Sequence, residues 1–228
     1  MDRLKVGFIH TTPATISMVE TGMVKYLPGV EYLHIYDSRV KVDNFASPIG
    51  TTPKCNLLRY AEFGSKLEQA GCGVIVSCCS LMPRATAYAK IVINVPFIQL
   101  DSVILDMVAA NYLQIGVIKT TEYVVPYVTE ELETRATKLK KNINLIFSGD
   151  SEALTLFNNG DYESHDKIVI NEMRKFEKIG VDCILMSQIP FALMENKIHA
   201  LPWSIPVLYA GEPAYKHISR LLTRGNEI

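Results

Sequence analysis

The sequence predicts an α/β protein of two pseudo-symmetric parallel-sheet domains related by an internal repeat. Three observations predict it. Short, β-branched, almost unbroken apolar runs alternate with amphipathic stretches, as in parallel strands covered by helices on both faces. Lys5-Val6-Gly7-Phe8-Ile9-His10-Thr11-Thr12 returns 109 residues later as Gln114-Ile115-Gly116-Val117-Ile118-Lys119-Thr120-Thr121, and Gly71-Cys72-Gly73-Val74-Ile75-Val76-Ser77-Cys78 returns at the same offset as Gly180-Val181-Asp182-Cys183-Ile184-Leu185-Met186-Ser187. A third pair, Val95-Pro96-Phe97-Ile98 and Ile205-Pro206-Val207-Leu208, lies 110 residues apart. Three pairs in one order at nearly one offset argue for two similar halves.

In chain order, strands are expected at 4–9, 31–36, 73–77, 92–99, 115–119, 143–147, 182–186 and 206–209. Apolar spacing predicts helices at about 55–70, 122–140, 161–179 and 212–223, with Leu57, Leu58, Ala61, Leu67 and Ala70 marking the first. Residues 41–54, rich in Asp, Asn, Ser, Pro, Gly and Thr, read as a long loop. No low-complexity linker separates the halves, so the boundary is placed near 98–113 in a helix that crosses between them. This gives a first domain of 1–98 plus 210–228 and a second of 99–209, with the last helix returning to the first half.

Composition narrows the function. The 228 residues carry a net charge of −1 with charges spread along the chain, which offers no electrostatic footprint for nucleic acid. No apolar run reaches membrane-spanning length, and Met1-Asp2-Arg3-Leu4-Lys5 leads into a run too short and too broken for a signal peptide. Cytoplasm is the expected location. Five cysteines, an odd number without a CxxC, fit reduced thiols better than a disulfide frame or a zinc site. Cys55, Cys72 and Cys183 read as small buried hydrophobes.

Ligands of open α/β sheets bind beyond the carboxyl ends of the strands, so the residues after each strand carry the interest. His10-Thr11-Thr12-Pro13 follows the first strand, with Pro13 at a helix start. Hydroxyls and free N–H groups at a helix N-terminus form a seat for an anion. Thr120-Thr121 repeats the arrangement, so the repeat predicts Thr11 and Thr12 facing Thr120 and Thr121, and Cys78 facing Ser187, in a pocket between the halves. The plainer alternative is that the threonine pairs only cap helices. Ser77-Cys78-Cys79-Ser80 ends the third strand, where a nearby helix start is expected to favour the Cys78 thiolate and make it a base. His10 and Lys119 occupy equivalent places and either balance a carboxylate or merely end their strands in water. Arg84 either pairs with a distal carboxylate or is a solvated helical arginine. Asp101, Tyr209 and Tyr123 are weaker candidates for lining the site, and the remaining histidines read as surface or packing residues.

These segments, together with Ile184-Leu185-Met186-Ser187-Gln188-Ile189-Pro190, resemble the aspartate/glutamate/hydantoin racemase superfamily over nearly the whole chain. The resemblance implies two α/β domains with the active site between them, no cofactor, and a small carboxylic or amino acid as substrate. It implies a cysteine from each half, one removing the α-proton and the other delivering one to the opposite face. Cys78 matches the first of these. Thr11, Thr12, Thr120 and Thr121 match substrate-holding positions, and Cys79 and Ser80 stand where the family usually has Asn and Thr or similar small polar residues, with His10 beside them. Family members are commonly dimers or larger, so a homo-oligomer is expected.

The second cysteine position holds Ser187, in Met186-Ser187-Gln188 where the family usually reads roughly Gly-Cys-Thr. A serine hydroxyl does not trade protons as a thiol does. Three functions stay open at this point. One is a cofactor-independent racemase-type isomerase. Another is a one-cysteine decarboxylase or lyase, of which the superfamily has examples that retain the second cysteine rather than the first. The last is a protein that binds a small acid without turning it over. Ser187 and Gln188 then serve to hydrogen-bond a carboxylate or enolate oxygen.

Overall fold

The structure, a computed structural model, describes residues 4–224. The polar start at Met1–Arg3 and the residues after Arg224 lie outside the described residues. In chain order the elements are β1 (Lys5–His10), α1 (Ala14–Tyr26), β2 (Glu31–Tyr36), α2 (Ser38–Phe45), α3 (Lys54–Gln69), β3 (Val74–Ser77), α4 (Pro83–Ala89), β4 (Phe97–Gln99) and α5 (Ser102–Asn111). They continue with β5 (Gln114–Ile118), a 3-10 turn at Glu122–Val124, α6 (Val125–Lys138), β6 (Asn144–Ser148), α7 (Ser151–Asn158) and α8 (Tyr162–Ile179). The chain then runs through β7 (Cys183–Met186), a 3-10 segment at Ile189–Met194, α9 (Glu195–Ala200), β8 (Val207–Leu208) and α10 (Glu212–Arg224). Among the described residues no helix is long and apolar enough to cross a membrane.

The chain divides into two compact units. One holds the residues up to Val103 and those from Ala210 onward; the other holds Ile104–Tyr209. The first unit is built on a parallel sheet of order β2-β1-β3-β4, the second on a parallel sheet of order β6-β5-β7-β8. The same order in both follows the repeat, since β1 and β5, and β3 and β7, are the repeated runs.

Each central strand carries a glycine at the same repeat position because a helix lies directly over it. A Cβ at Gly7 would meet the Leu67 side chain at 2.8 Å, and one at Gly116 would meet the Phe176 ring at 2.7 Å. Leu67 on α3 and Phe176 on α8 are themselves 109 residues apart. Their burial anchors the two cores: Tyr60, Phe63, Leu67, Ile75, Met82 and Phe97 in the first unit, and Val169, Met173, Phe176, Ile184 and Phe191 in the second. α10 packs in the first unit, where Tyr215 stacks on Tyr26 of α1 with ring centroids 5.4 Å apart.

Two expectations are corrected. Residues 41–54 are not one loop, because α2 occupies Ser38–Phe45 and the loop begins only after it. The Asp37 carboxylate caps this helix by accepting from the Arg39 N–H at 2.8 Å, and only Val40 and Asn44 are buried, so apolar periodicity is nearly absent. The strand expected over 92–99 is confined to Phe97–Gln99. The Glu68 carboxylate takes the N–H groups of Asn94 at 2.7 Å and Val95 at 3.2 Å, and Pro96 has none to give. A side chain thus replaces the ladder there.

Candidate active site

Parallel pairing sets the first cluster. β1 and β3 run in register with Ile9 opposite Ser77, and the ladder extends one residue further as the Cys78 N–H donates to the Ile9 carbonyl at 2.8 Å. Cys78 therefore leaves the sheet beside the His10-Thr11-Thr12 turn. It is 1% exposed, while Cys79 and Ser80 are half-buried. The turn is tied from behind, with Gln99 Nε2 donating to the Cys79 carbonyl at 3.1 Å and accepting at Oε1 from the Thr86 hydroxyl at 3.0 Å. Ser77 sits 3.3 Å from the Tyr60 hydroxyl on the side facing α3.

The Cys78 thiol is not activated as the sequence position suggested. Burial pushes its pKa well above the ordinary thiol value, and the neighbouring Cys79 and Asp101 charges push it further. The next helix along the chain, α4, starts only at Pro83 and is seven residues long, so it places no helix start directly at Cys78. Cys78 is a protonated thiol at neutral pH. Burial also raises Cys79, but the Thr11 hydroxyl and the Leu81 N–H bond its sulfur and pull the value back, as does the Lys41 charge. Cys72 and Cys183 are buried as expected, and burial lifts them to about 11 and about 12. Cys55 is instead exposed at the start of α3, its thiol donating to Asp43 Oδ2 at 3.7 Å.

His10 neither faces water nor offers a charge to a carboxylate. It is fully buried, with Nδ1 2.8 Å from Thr15 Oγ1 and Nε2 2.8 Å from His34 Nδ1. The Thr15 hydroxyl donates to the Thr12 carbonyl at 2.9 Å, so Thr15 Oγ1 accepts from His10 Nδ1–H. His10 Nε2 then accepts from His34 Nδ1–H. Burial, and then the neighbouring His34, lowers the His10 pKa to about 3. Both ring nitrogens are used inside the unit, and the ring's part is to hold the Thr11-Thr12 turn. Thr15 and His34 have no repeat partner of their type, since Thr15 corresponds to Val124, and so the repeat does not point to them.

This chain of neutral rings gives a pH prediction. The folded value of His10 lies below the unfolded value of 6.5, so its full contribution is present above pH 6.5 and is lost as pH falls toward about 3. Stability at pH 4.5 is expected to be lower than at pH 7 by about 2–3 kcal/mol, through protons that the unfolded state binds and the folded state refuses. Urea unfolding of His10→Gln across the same range should show a flatter dependence. An unchanged slope would mean that His10 titrates normally.

The second cluster repeats the first with different chemistry. β5 and β7 pair with Ile118 opposite Met186, and the Ser187 N–H donates to the Ile118 carbonyl at 3.3 Å, as Cys78 does to Ile9. The Ser187 hydroxyl donates to that same carbonyl at 2.7 Å, and the residue is 5% exposed. Its one proton is committed to the backbone. Gln188 Oε1 accepts from the Thr120 N–H at 2.6 Å and from the Thr120 hydroxyl at 3.1 Å. A backbone N–H can only donate, so the carboxamide orientation is fixed and its Nε2 is turned away from Thr120 as a donor. Thr121 caps the following 3-10 turn, accepting from the Tyr123 N–H at 3.3 Å, and Lys119 forms an ion pair with Glu122.

The structure thus brings His10, Thr11, Thr12, Cys78, Cys79 and Ser80 together in the first unit, and Thr120, Thr121, Ser187 and Gln188 in the second. Arg84 is exposed and donates to the Gly50 carbonyl at 2.5 Å. The Tyr209 hydroxyl donates to Glu195 Oε1 at 3.2 Å and lies 2.9 Å from His199 Nε2. His165 is a packing residue, buried against Phe157 and Phe191 with Nδ1 2.7 Å from Asp166 Oδ1.

No family model matches the chain, and no curated protein matches it. Solved structures do. The glutamate racemase of Francisella tularensis superposes with a TM-score of 0.72 at 14% identity, over 99% of this chain and 83% of its own. The aspartate racemase of Picrophilus torridus gives 0.70 at 14%, over 98% and 94%, and the allantoin racemase of Klebsiella pneumoniae 0.70 at 14%, over 97% and 89%. The chain has the racemase fold. The superpositions take in both of this chain's four-stranded parallel sheets and their flanking helices. Within the racemase fold, the strand ends that carry Cys78 and Ser187 are equivalent places in the two units.

Proposed function

We propose that the protein is a cofactor-independent acid/base enzyme of the racemase type, acting at the α-carbon of a small carboxylic or amino acid, with proton transfer confined to the thiol side. The observation that carries this reading is the asymmetry of the two equivalent strand ends. Cys78 presents a thiol, while the Ser187 proton is held by the Ile118 carbonyl at 2.7 Å. Thr12, the Thr121 hydroxyl and the Gln188 Nε2 amide are the groups suited to donate to the carboxylate, with Ser80 beside Cys78, while Thr11 and Thr120 shape the two turns, Thr120 by giving both its donors to Gln188 Oε1. Holding a carboxylate with fixed donors stabilises the enolate that forms when the α-proton leaves, which is the larger part of the barrier.

A second reading is favoured by one observation. Cys78 is buried, burial raises its thiol pKa well above the ordinary value, and a protonated thiol is suited to quench an enolate formed by loss of carbon dioxide. The two readings separate in heavy water. Proton NMR with amino, hydroxy and malonic acids is expected to show deuterium entering the α-position of one acid. A product one carboxylate shorter, carrying deuterium, would select the decarboxylase reading. Tight binding of an acid with neither exchange nor conversion would overturn both in favour of a binding protein.

Restoring the second thiol tests the asymmetry. Ser187→Cys is expected to raise the rate of enantiomer interconversion at least tenfold for an acid that the wild type exchanges. Chiral chromatography reads this directly, and an unchanged rate would remove Ser187 from the site.

A further inference from the structure

A line of hydrogen bonds runs in one direction through the first unit. The Thr15 hydroxyl donates to the Thr12 carbonyl at 2.9 Å, His10 Nδ1–H to Thr15 Oγ1 at 2.8 Å, and His34 Nδ1–H to His10 Nε2 at 2.8 Å. Each proton is placed by the bond before it, because the Thr12 carbonyl can only accept. The line therefore ends at His34 Nε2, which carries a lone pair. That nitrogen is buried and makes no hydrogen bond, and Glu20 Oε1 of α1 stands 4.0 Å away. An acceptor thus faces an acceptor. The ring is held in this pose by its neighbours. His34 lies opposite Phe8, whose ring stacks on it at 5.8 Å, and the Tyr32 ring meets it edge-on at 5.4 Å. The titratable groups that face it are His10 from β1, Glu20 from α1 and Tyr32 from its own strand, and of these only the Glu20 carboxylate can balance a cation. A proton added to His10 must break a bond, since both its ring nitrogens are engaged. A proton added at His34 Nε2 breaks none and gives Glu20 a partner. Burial opposes that charge and Glu20 favours it, which leaves the His34 pKa below the ordinary 6.5.

We propose that His34 is a positioning residue for the acid's carboxylate, and that it takes up a proton at Nε2, toward Glu20, when that carboxylate settles at the Thr11-Thr12 turn. This rests on the proposed function above. The proton comes from solvent and forms the His34 Nε2–H bond, and the line to Thr12 stays intact. The new donor pins α1, which begins at Ala14 directly after the turn, to β2. The cationic ring also donates more strongly to His10, and each link passes that polarity on toward Thr12. A stiffer turn and added positive charge both favour an anion. By reciprocity, a carboxylate that prefers the protonated form raises the affinity of His34 for its proton.

The test uses the full chain. Nitrogen-15 NMR of the histidine rings in the free protein is expected to show His10 and His34 both carrying their proton on Nδ1 at pH 7.5, and only His34 of the two titrating between pH 8 and pH 5. Glu20→Gln, an exposed change, is expected to lower the His34 midpoint. For an acid of the heavy-water panel that exchanges its α-proton, KM is expected to fall at least about fivefold from pH 8 to pH 5, with Glu20→Gln moving the fall to lower pH. His34→Asn keeps a donor in the Nδ1 place but has no second nitrogen to protonate, so the fall in KM should vanish; a merely structural histidine would leave it unmoved. His34 carrying its proton on Nε2 at pH 7.5 overturns the assignment. So does a wild-type KM that ignores pH, or a pH dependence that is untouched in Glu20→Gln and His34→Asn, and each of these leaves the α-carbon reading standing. Absence of exchange with every acid of the panel overturns both.

Discussion

Cys78→Ala is expected to slow α-proton exchange by at least about a hundredfold, the usual weight of one positioned acid or base. The fold should survive. Removing one buried sulfur costs on the order of 1 kcal/mol, well inside the margin of a domain of this size. The loss should appear in kcat, because the residues suited to hold the carboxylate are untouched. Cys78→Ser separates shape from chemistry: it fills nearly the same space, but its hydroxyl does not exchange protons as a thiol does, so it should be nearly as inactive as alanine. Stopped exchange with an unchanged urea midpoint is the expected pair of results. Full activity in either variant would remove Cys78 from the chemistry.

Gly149→Ala is expected to be the most damaging small substitution outside the strand-end clusters. Gly149 leaves β6 with φ +156°, and a Cβ there would lie 1.7 Å from the Lys119 carbonyl oxygen and 2.8 Å from its carbon. Both are backbone atoms at the exit of β5, where the Lys119 N–H donates to Ser148 at 3.0 Å, so neither can swing aside as a side-chain tip can. The strand ends must part, and a cost of about 4 kcal/mol or more is expected. The disturbance falls on Lys119-Thr120-Thr121, so ligand binding should weaken along with stability. Gly160→Ala is the control. It also has positive φ, +81°, but nothing lies within 4 Å of its Cβ, and its expected cost is about 1 kcal/mol. Chemical denaturation of the two variants measures the difference; equal losses would mean that the Lys119 contact is not rigid.

Much of the fold is legible because parallel strands announce themselves as unbroken β-branched runs and because the chain carries the same run twice. β2 falls at 31–36 as the apolar pattern has it, and β1, β3, β5, β6, β7 and β8 lie within one residue of expectation at each end. What escapes the pattern has physical causes. α2 is held by the Asp37 cap and buries little, so it reads as polar loop. α1 is not marked by its side chains, because threonine, serine, valine and glycine favour other states when read singly. Its buried stripe of Thr15, Met18, Val19, Gly22 and Met23 appears only with its neighbours in place. The site is legible in its residue types and illegible in its proton states. That Cys78 follows a strand is written in the sequence; that burial keeps its proton on is not. The same holds for His10, whose partner His34 lies 24 positions away on a neighbouring strand. Nor does Ser187 reveal by its spacing that its hydroxyl is turned to Ile118.

The proposed function turns on proton transfer from one side of the α-carbon. It is tested most directly by incubating a single enantiomer of an exchanging acid in heavy water and following deuterium content and enantiomer composition together. Deuterium is expected to enter much faster than configuration is lost, by tenfold or more. Inversion keeping pace with exchange would contradict it, since that requires a second proton-transferring group on the opposite face.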